Sequence, residues 1–137
     1  MKAQRVDTWA AAIDDKPGAL AGKLKVLADA GVNLEFIVAR RGEKPGKAVV
    51  FVTPIKGGRQ IAAASTAGFR KTSSLHTVRI EGADKIGQTH RVMQALADKR
   101  LNVRGVSAAA IGKKFICHIA LDTDADVTKA AKALQNL

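Results

Sequence analysis

The stretch Ile13-Asp14-Asp15-Lys16-Pro17-Gly18-Ala19-Leu20 separates two differently patterned segments, and its centre returns later in the chain as Asp84-Lys85-Ile86-Gly87. Asp15 and Asp84 are 69 residues apart, about half of the 137. The same offset pairs Leu24 with Met93, Leu27 with Leu96, Ala28-Asp29 with Ala97-Asp98, Asn33 with Asn102 and Leu34 with Val103. Self-similarity at a fixed spacing marks a duplicated unit. The chain therefore reads as two copies of one small module, residues 1–72 and 73–137.

Each copy has a local pattern. Upstream of the turn, Val6 to Ile13 places Trp9, Ala11 and Ile13 at period two, as in a strand with one buried face. Asp15 to Gly18 breaks it, and Pro17 suits the first turn of a helix, where a missing N–H costs nothing. Leu20, Leu24 and Leu27 then form one helical stripe, which Ala30-Gly31 ends. Leu34, Phe36 and Val38 make a second strand, residues 42–46 turn it, and residues 48–53 return as a third. Gly57-Gly58 opens an alanine-rich helix to about Ala67, and Phe69 to Thr72 is a fourth strand. The second copy predicts a strand over 75–82, a helix over 86–99, strands over 102–110 and 115–121, and a last helix capped by Asp124 or Asp126. By the offset its fourth strand would begin near position 138, so the second copy is expected to lack it. The order βαββαβ, then βαββα, is the ferredoxin-like α+β pattern: antiparallel sheets with the helices on one face.

Composition sets the bounds. Leu, Ile, Val and Phe number 35, enough to bury a core, and 25 alanines point to close packing of small side chains. One cysteine excludes a disulfide framework and a multi-cysteine zinc site. No apolar run approaches the ~20 residues of a membrane helix. Met1-Lys2-Ala3-Gln4-Arg5-Val6-Asp7 lacks a signal-peptide apolar core, and a cytoplasmic protein without membrane partners is expected. The net charge of +11 is spread evenly, with 11 Lys/Arg against 6 Asp/Glu in residues 1–69 and 12 against 6 in 70–137. Such a distribution reads as solvated surface rather than as a basic stripe.

The run from Ile13 to Leu20, followed by Leu24, Leu27 and Ala30-Gly31-Val32-Asn33-Leu34, resembles the pattern of ACT domains, small amino-acid-sensing modules attached to metabolic enzymes. In the second copy Ile86 stands where the proline falls, and Lys99-Arg100 where Ala-Gly falls. The resemblance implies a pair of ACT modules regulated by an amino acid bound at an interface between modules. It implies a ligand-binding set of Asp15, Lys16, Pro17, Gly18, Ala19, Leu20, Asn33 and Leu34, and a weaker second set of Asp84, Gly87, Gln88 and Asn102. A strand-to-helix turn presents unpaired backbone N–H groups at the positive end of a helix, here those of Gly18, Ala19 and Leu20, which suits a carboxylate. Asp15 would take the ligand ammonium and Asn33 would hydrogen-bond it. Asp15 serves equally as a helix cap, and Asn33 as a left-handed residue after the helix.

No catalytic constellation is present. Cys117 lies mid-strand on the apolar face, and His76, His90 and His118 are scattered without ligand spacing, so neither metal nor cofactor is expected. Asp122, Asp124 and Asp126 lack the glycine and distal glutamate of a calcium loop. A non-enzyme is the reading. The alanines at 10, 12 and 108–110 suggest sheet faces or edges that pair, within the chain and as a homodimer. The leading function is a regulatory sensor of a small amino acid with an enzyme partner. The alternatives are a purely structural partner module and a nucleic-acid-binding protein of the same topology. Five aromatics and no tyrosine argue against the last, which stacks bases on an aromatic-rich strand.

Overall fold

The computed structural model describes residues 1–137. Its elements run β1 (Lys2–Val6), β2 (Trp9–Asp14), α1 (Ala19–Asp29), β3 (Phe36–Arg41), β4 (Lys47–Thr53), α2 (Gly57–Thr66), β5 (Arg70–Lys71), β6 (His76–Ala83), α3 (Gln88–Asp98), β7 (Val103–Ile111), β8 (Lys114–Leu121) and α4 (Asp124–Gln135). They form two four-stranded sheets, ordered β3-β4-β2-β5 and β1-β6-β8-β7, with every pairing antiparallel. The chain divides into two compact units, Asp7–Thr72 and Met1–Val6 with Ser73–Leu137.

In the Asp7–Thr72 unit the period-two reading of the first strand is realised. Trp9, Ala11 and Ile13 are buried with Val50 and Val52 of β4, Leu27 of α1, Ala64 of α2 and Phe69. Leu20, Leu24, Val32 and Leu34 pack against this core from its margin. Alanine at positions 64 and 67 lets the short α2 lie close, since a small side chain shortens the approach of a helix to its neighbours. The fourth strand is shorter than expected. β5 covers only Arg70 and Lys71, opposite Ala10 and Trp9.

The other unit corrects the sequence reading. The segment read as one strand from Val6 is broken at Asp7-Thr8, and residues 1–6, expected in the first module, pair with β6 instead. Lys2 lies opposite Glu81 and Val6 opposite Thr77. The place of the strand expected to be missing is thus filled from the N-terminal end of the chain. The side chains of β1 reinforce this pairing: Arg5 donates to Asp124, and its Nη2 also to Thr128 Oγ1 at 3.0 Å, while Gln135 donates to the Ala3 carbonyl at 3.2 Å. Ala3 joins Val78, Ile80, Val92, Leu96, Phe115, Cys117, Ile119, Leu121, Val127 and Leu134 in one core. The cap of α4 is neither Asp124 nor Asp126. Thr123 Oγ1 accepts from the Asp126 N–H at 3.1 Å, the usual work of an N-cap hydroxyl.

Three helices end alike. Gly31 N–H donates to Ala28 and Val32 N–H to Leu27; Gly68 donates to Ser65 and Phe69 to Ala64; Arg100 donates to Ala97 and Leu101 to Leu96. Each is a Schellman closure with an apolar residue turned back into the core.

A lysine-rimmed cleft at the strand-to-helix turn

The turn that links β2 to α1 is built by Lys16-Pro17-Gly18-Ala19. Ala19 N–H donates to the Lys16 carbonyl at 3.3 Å, and Gly18 has φ 87° and ψ −15°. These are the features of a type II turn, with proline second and a left-handed glycine third. Pro17 therefore precedes the helix instead of lying in its first turn. The first helical bond is Gly22 N–H to Gly18 carbonyl at 2.9 Å, which leaves the Leu20 and Ala21 N–H groups without a backbone acceptor. No side chain caps α1. Asp15, read as a cap or as an ammonium partner, does not cap the helix, and its carboxylate pairs with the exposed Arg41 at 2.8 Å.

Beside this turn an open cleft of about 610 Å³ runs between β2, α1 and the end of α2. Ala12, Ile13 and Asp14 line it from the strand, Lys16, Gly18, Ala19, Gly22, Lys23 and Val26 from the turn and helix, and Thr66, Ala67 and Gly68 from the far side, with Lys47 at the rim. The cleft lies where β5 does not reach, since that strand begins only at Arg70, opposite Ala10. Asp15 N–H bonds to Gly46 on the β4 side, and the Thr8 carbonyl accepts from Thr72 on the β5 side. Backbone groups alternate along a strand, so those of Ala12 and Asp14 face the β5 side, where the ladder ends at Ala10. The N–H and carbonyl of Ala12 thus open into the cleft, while the Asp14 carbonyl accepts from the Lys16 N–H at 3.0 Å.

The cleft is electropositive. Lys47 pairs with Asp14 at 2.8 Å, and Lys23 donates to the Ala67 carbonyl at the end of α2. The Asp14 carboxyl is held below the usual carboxylate range, first by the hydrogen bond from Lys47 and then by the charges of Lys47, Lys16 and Lys23. Three ammonium groups thus act on one carboxylate. Gly22 adds room: a side-chain carbon built there would meet nothing within 4 Å, so packing does not demand a glycine in mid-helix.

Of the residues expected in the site, Lys16, Gly18 and Ala19 line the cleft, and Leu20 sits in the core beside it. Asn33 and Leu34 follow the other end of α1, a helix of 11 residues and about 16 Å. Asn33 is exposed with an ordinary negative φ, and Gly31 at φ 81° holds the left-handed position. Lys23, Lys47 and Gly22 were not read as site residues from sequence, and Ala12 was read only as part of a pairing surface. The spacing of Gly18, Gly22 and Val26 along one helix face was the available signal.

The corresponding turn in the other unit has the same backbone. Gln88 N–H donates to Lys85 at 3.1 Å and Gly87 has φ 77° and ψ 10°. The side chains that flank it differ. Gln88 is buried and donates to the Ala83 carbonyl at 3.0 Å, Arg91 donates to Gln88, and Met1 covers Gly82. Asp84 N–H bonds to Lys113, and Asn102 is exposed beyond the far end of α3. Cys117 is fully buried and burial pushes its thiol up to about 11, which removes it as a nucleophile at neutral pH. No three His, Cys, Asp or Glu side chains are brought together in a way that could hold a metal ion, and no helix is long and apolar enough to cross a membrane.

Two βαββαβ-type units in one chain, each with a helix-covered antiparallel sheet, define the tandem ACT-like fold. Solved structures share it over nearly the whole chain. A protein from Bacteroides thetaiotaomicron superposes with a TM-score of 0.80 at 14% identity, over 98% of this chain and 92% of its own. The ligand-free regulatory subunit of aspartate kinase from Thermus thermophilus superposes with 0.66 at 17% identity, over 99% and 96%. Aspartate kinase from Clostridium acetobutylicum gives 0.62 at 17% identity, over 98% of this chain but 33% of its own. No family model and no curated protein sequence matches the chain.

Proposed function

We propose that this protein is a non-catalytic regulatory sensor that binds a small amino acid in the cleft beside the Asp15–Gly18 turn and passes that state to an enzyme partner. The reading is carried by one juxtaposition: Lys16, the Gly18-Ala19 start of α1 and the backbone edge at Ala12 all border one cleft. A ligand carboxylate is held by Lys16 at the start of α1, where the helix dipole also favours negative charge. The ligand ammonium is taken by the Ala12 carbonyl and the Asp14 carboxylate. The fold likeness to regulatory subunits of aspartate kinase supports a regulatory role beside an enzyme. The buried Gln88 beside Gly87, bonded to the Ala83 carbonyl, supports one site per chain.

A thermal-shift screen against the twenty amino acids tests it. A ligand at about a hundred times its dissociation constant stabilises by roughly 2.7 kcal/mol, a shift of several degrees for a domain of this size. The shift is expected with one or a few amino acids and is lost in Lys16→Met, whose side chain is exposed. Silence from all twenty overturns the reading. A shift that survives both Lys16→Met and Gly18→Val places the ligand elsewhere.

A further inference from the structure

At one end of the second unit two tips carry chemistry that the first unit lacks. One is the turn Asp84-Lys85-Ile86-Gly87 before α3, and the other is the hairpin Ile111-Gly112-Lys113-Lys114 between β7 and β8. The Asp84 N–H donates to the Lys113 carbonyl at 2.9 Å, which ties the tips together. Ala83 and Ile111 flank Lys114 of β8 on either side, so their backbones are about 10 Å apart.

Each tip sets a bare isoleucine beside a lysine. Ile86 is fully exposed and Ile111 is 67% exposed, more than any other large apolar side chain of the protein, and neither belongs to the core. Lys85, Lys113 and Arg91 are exposed as well. Residues 82–91 and 111–114 hold four Lys/Arg against one Asp, and the neighbouring Glu81 is already held by Arg79 and Lys114, both at 3.1 Å. The first unit builds the same turn and hairpin differently. Pro17 stands at the place of Ile86, Asp14 pairs with Lys47 and Asp15 with Arg41, both at 2.8 Å, and Glu43 lies in the hairpin. No large apolar side chain is exposed in that turn or hairpin, so the fold itself does not require the isoleucines.

We propose that this end of the second unit docks on an anionic lipid surface, with Ile86 and Ile111 entering the boundary between headgroups and acyl chains and Lys85, Lys113 and Arg91 against the phosphates. Aliphatic side chains leave water there, while long basic side chains keep their charge at headgroup level. A chain of net charge +11 is drawn to such a surface, and each lysine near it strengthens binding about fivefold. Two separate tips form no groove for a folded partner, whereas a lipid surface closes round each of them. A second copy would bring like charges face to face. The expectation of no membrane partner rested on the lack of a spanning segment. No helix is long and apolar enough to cross a membrane, and a surface contact needs none. Docking does not depend on amino-acid binding.

Co-sedimentation with vesicles tests it. The native protein is expected to pellet with vesicles of equal parts phosphatidylglycerol and phosphatidylcholine, to stay in solution with phosphatidylcholine alone, and to bind less as salt rises. Ile86→Ser/Ile111→Ser, at exposed positions, is expected to weaken binding by more than about tenfold with an unchanged circular dichroism spectrum. Lys85→Gln/Lys113→Gln is expected to weaken it about twentyfold. Arg40→Gln/Lys44→Gln removes as much charge from the first unit and is expected to cost no more than about threefold, because those charges lie away from the lipid. Absence of binding to the anionic vesicles overturns the proposal. So does binding that the isoleucine variant leaves unchanged, or an equal loss in the two charge variants, since either marks unspecific attraction. Preference for a short RNA duplex over the vesicles at the same salt overturns it in favour of a nucleic-acid partner.

Discussion

Arg100, at φ 58°, holds the left-handed backbone that Gly31, at φ 81°, holds 69 residues earlier. Both close a helix in the same way, Gly31 donating to Ala28 at 2.9 Å and Arg100 to Ala97 at 2.8 Å. Arg100 is the one non-glycine residue of the chain with a positive φ. A side chain there costs about 1–2 kcal/mol, since Cβ crowds the following carbonyl.

Arg100→Gly should relieve that strain. The side chain is exposed, so little contact is lost. Part of the gain is offset because glycine makes the unfolded chain freer. A net stabilisation of about 0.5–1 kcal/mol is expected from urea unfolding. Gly31→Arg should shift the midpoint in the opposite sense.

Ile86 occupies the second position of the turn that Pro17 occupies in the first copy, and it is fully exposed. Gly87 and Gly18 share one conformation there. Ile86→Pro is therefore compatible with the native backbone and restricts only the unfolded chain. A rise in stability of about 0.4–1 kcal/mol is expected, read as a higher denaturation midpoint with the slope unchanged.

Lys47→Met should raise the Asp14 carboxyl back toward its ordinary value, because Lys47 supplies the leading cause of its depression. The remaining charges of Lys16 and Lys23 leave part of the shift in place. An NMR titration of the Asp14 carboxyl checks both statements. The sign follows from the depressed value. The native pairing favours folding above the unfolded carboxylate range near pH 4, and its contribution is lost as pH falls through the lower folded value. An Asp14 titration identical in native protein and variant would contradict the electropositive cleft.

Gly22→Ala separates stability from binding. In the middle of α1 alanine is favoured over glycine by about 0.5–1 kcal/mol, and the added carbon meets nothing within 4 Å. The variant should be more stable than the native protein. If the cleft holds the ligand, the same carbon narrows it, and the amino-acid-induced thermal shift should shrink. A stabilised variant with an undiminished shift would place the ligand away from α1.

Much of this was legible along the chain because it depends on short-range chemistry. Leu20, Leu24 and Leu27 define one face of a helix wherever that helix goes, and Gly18 and Gly31 serve backbone positions that other residues reach only with strain. The 69-residue echo set the number of units, and the order of strands and helices set their topology. The turn at Asp15–Gly18 was visible for the same reason, although the type II geometry moved Pro17 out of the helix.

What only the tertiary structure decided is which strand lies beside which. Backbone hydrogen bonds are chemically alike at every residue, so Val6 and Trp9, three residues apart, give no local sign that they belong to different sheets. The choice is made by distant groups: Asp124 and Thr128 hold Arg5, and Gln135 holds the Ala3 carbonyl. Those contacts give the second unit a strand that its own repeat does not supply. The two-residue β5, beginning only at Arg70 opposite Ala10, is what leaves Ala12 open to the cleft. The sequence by itself determined the modules, their helices and their turns. The partition of strands, and with it the position of the cleft, came from pairings between residues far apart in the chain.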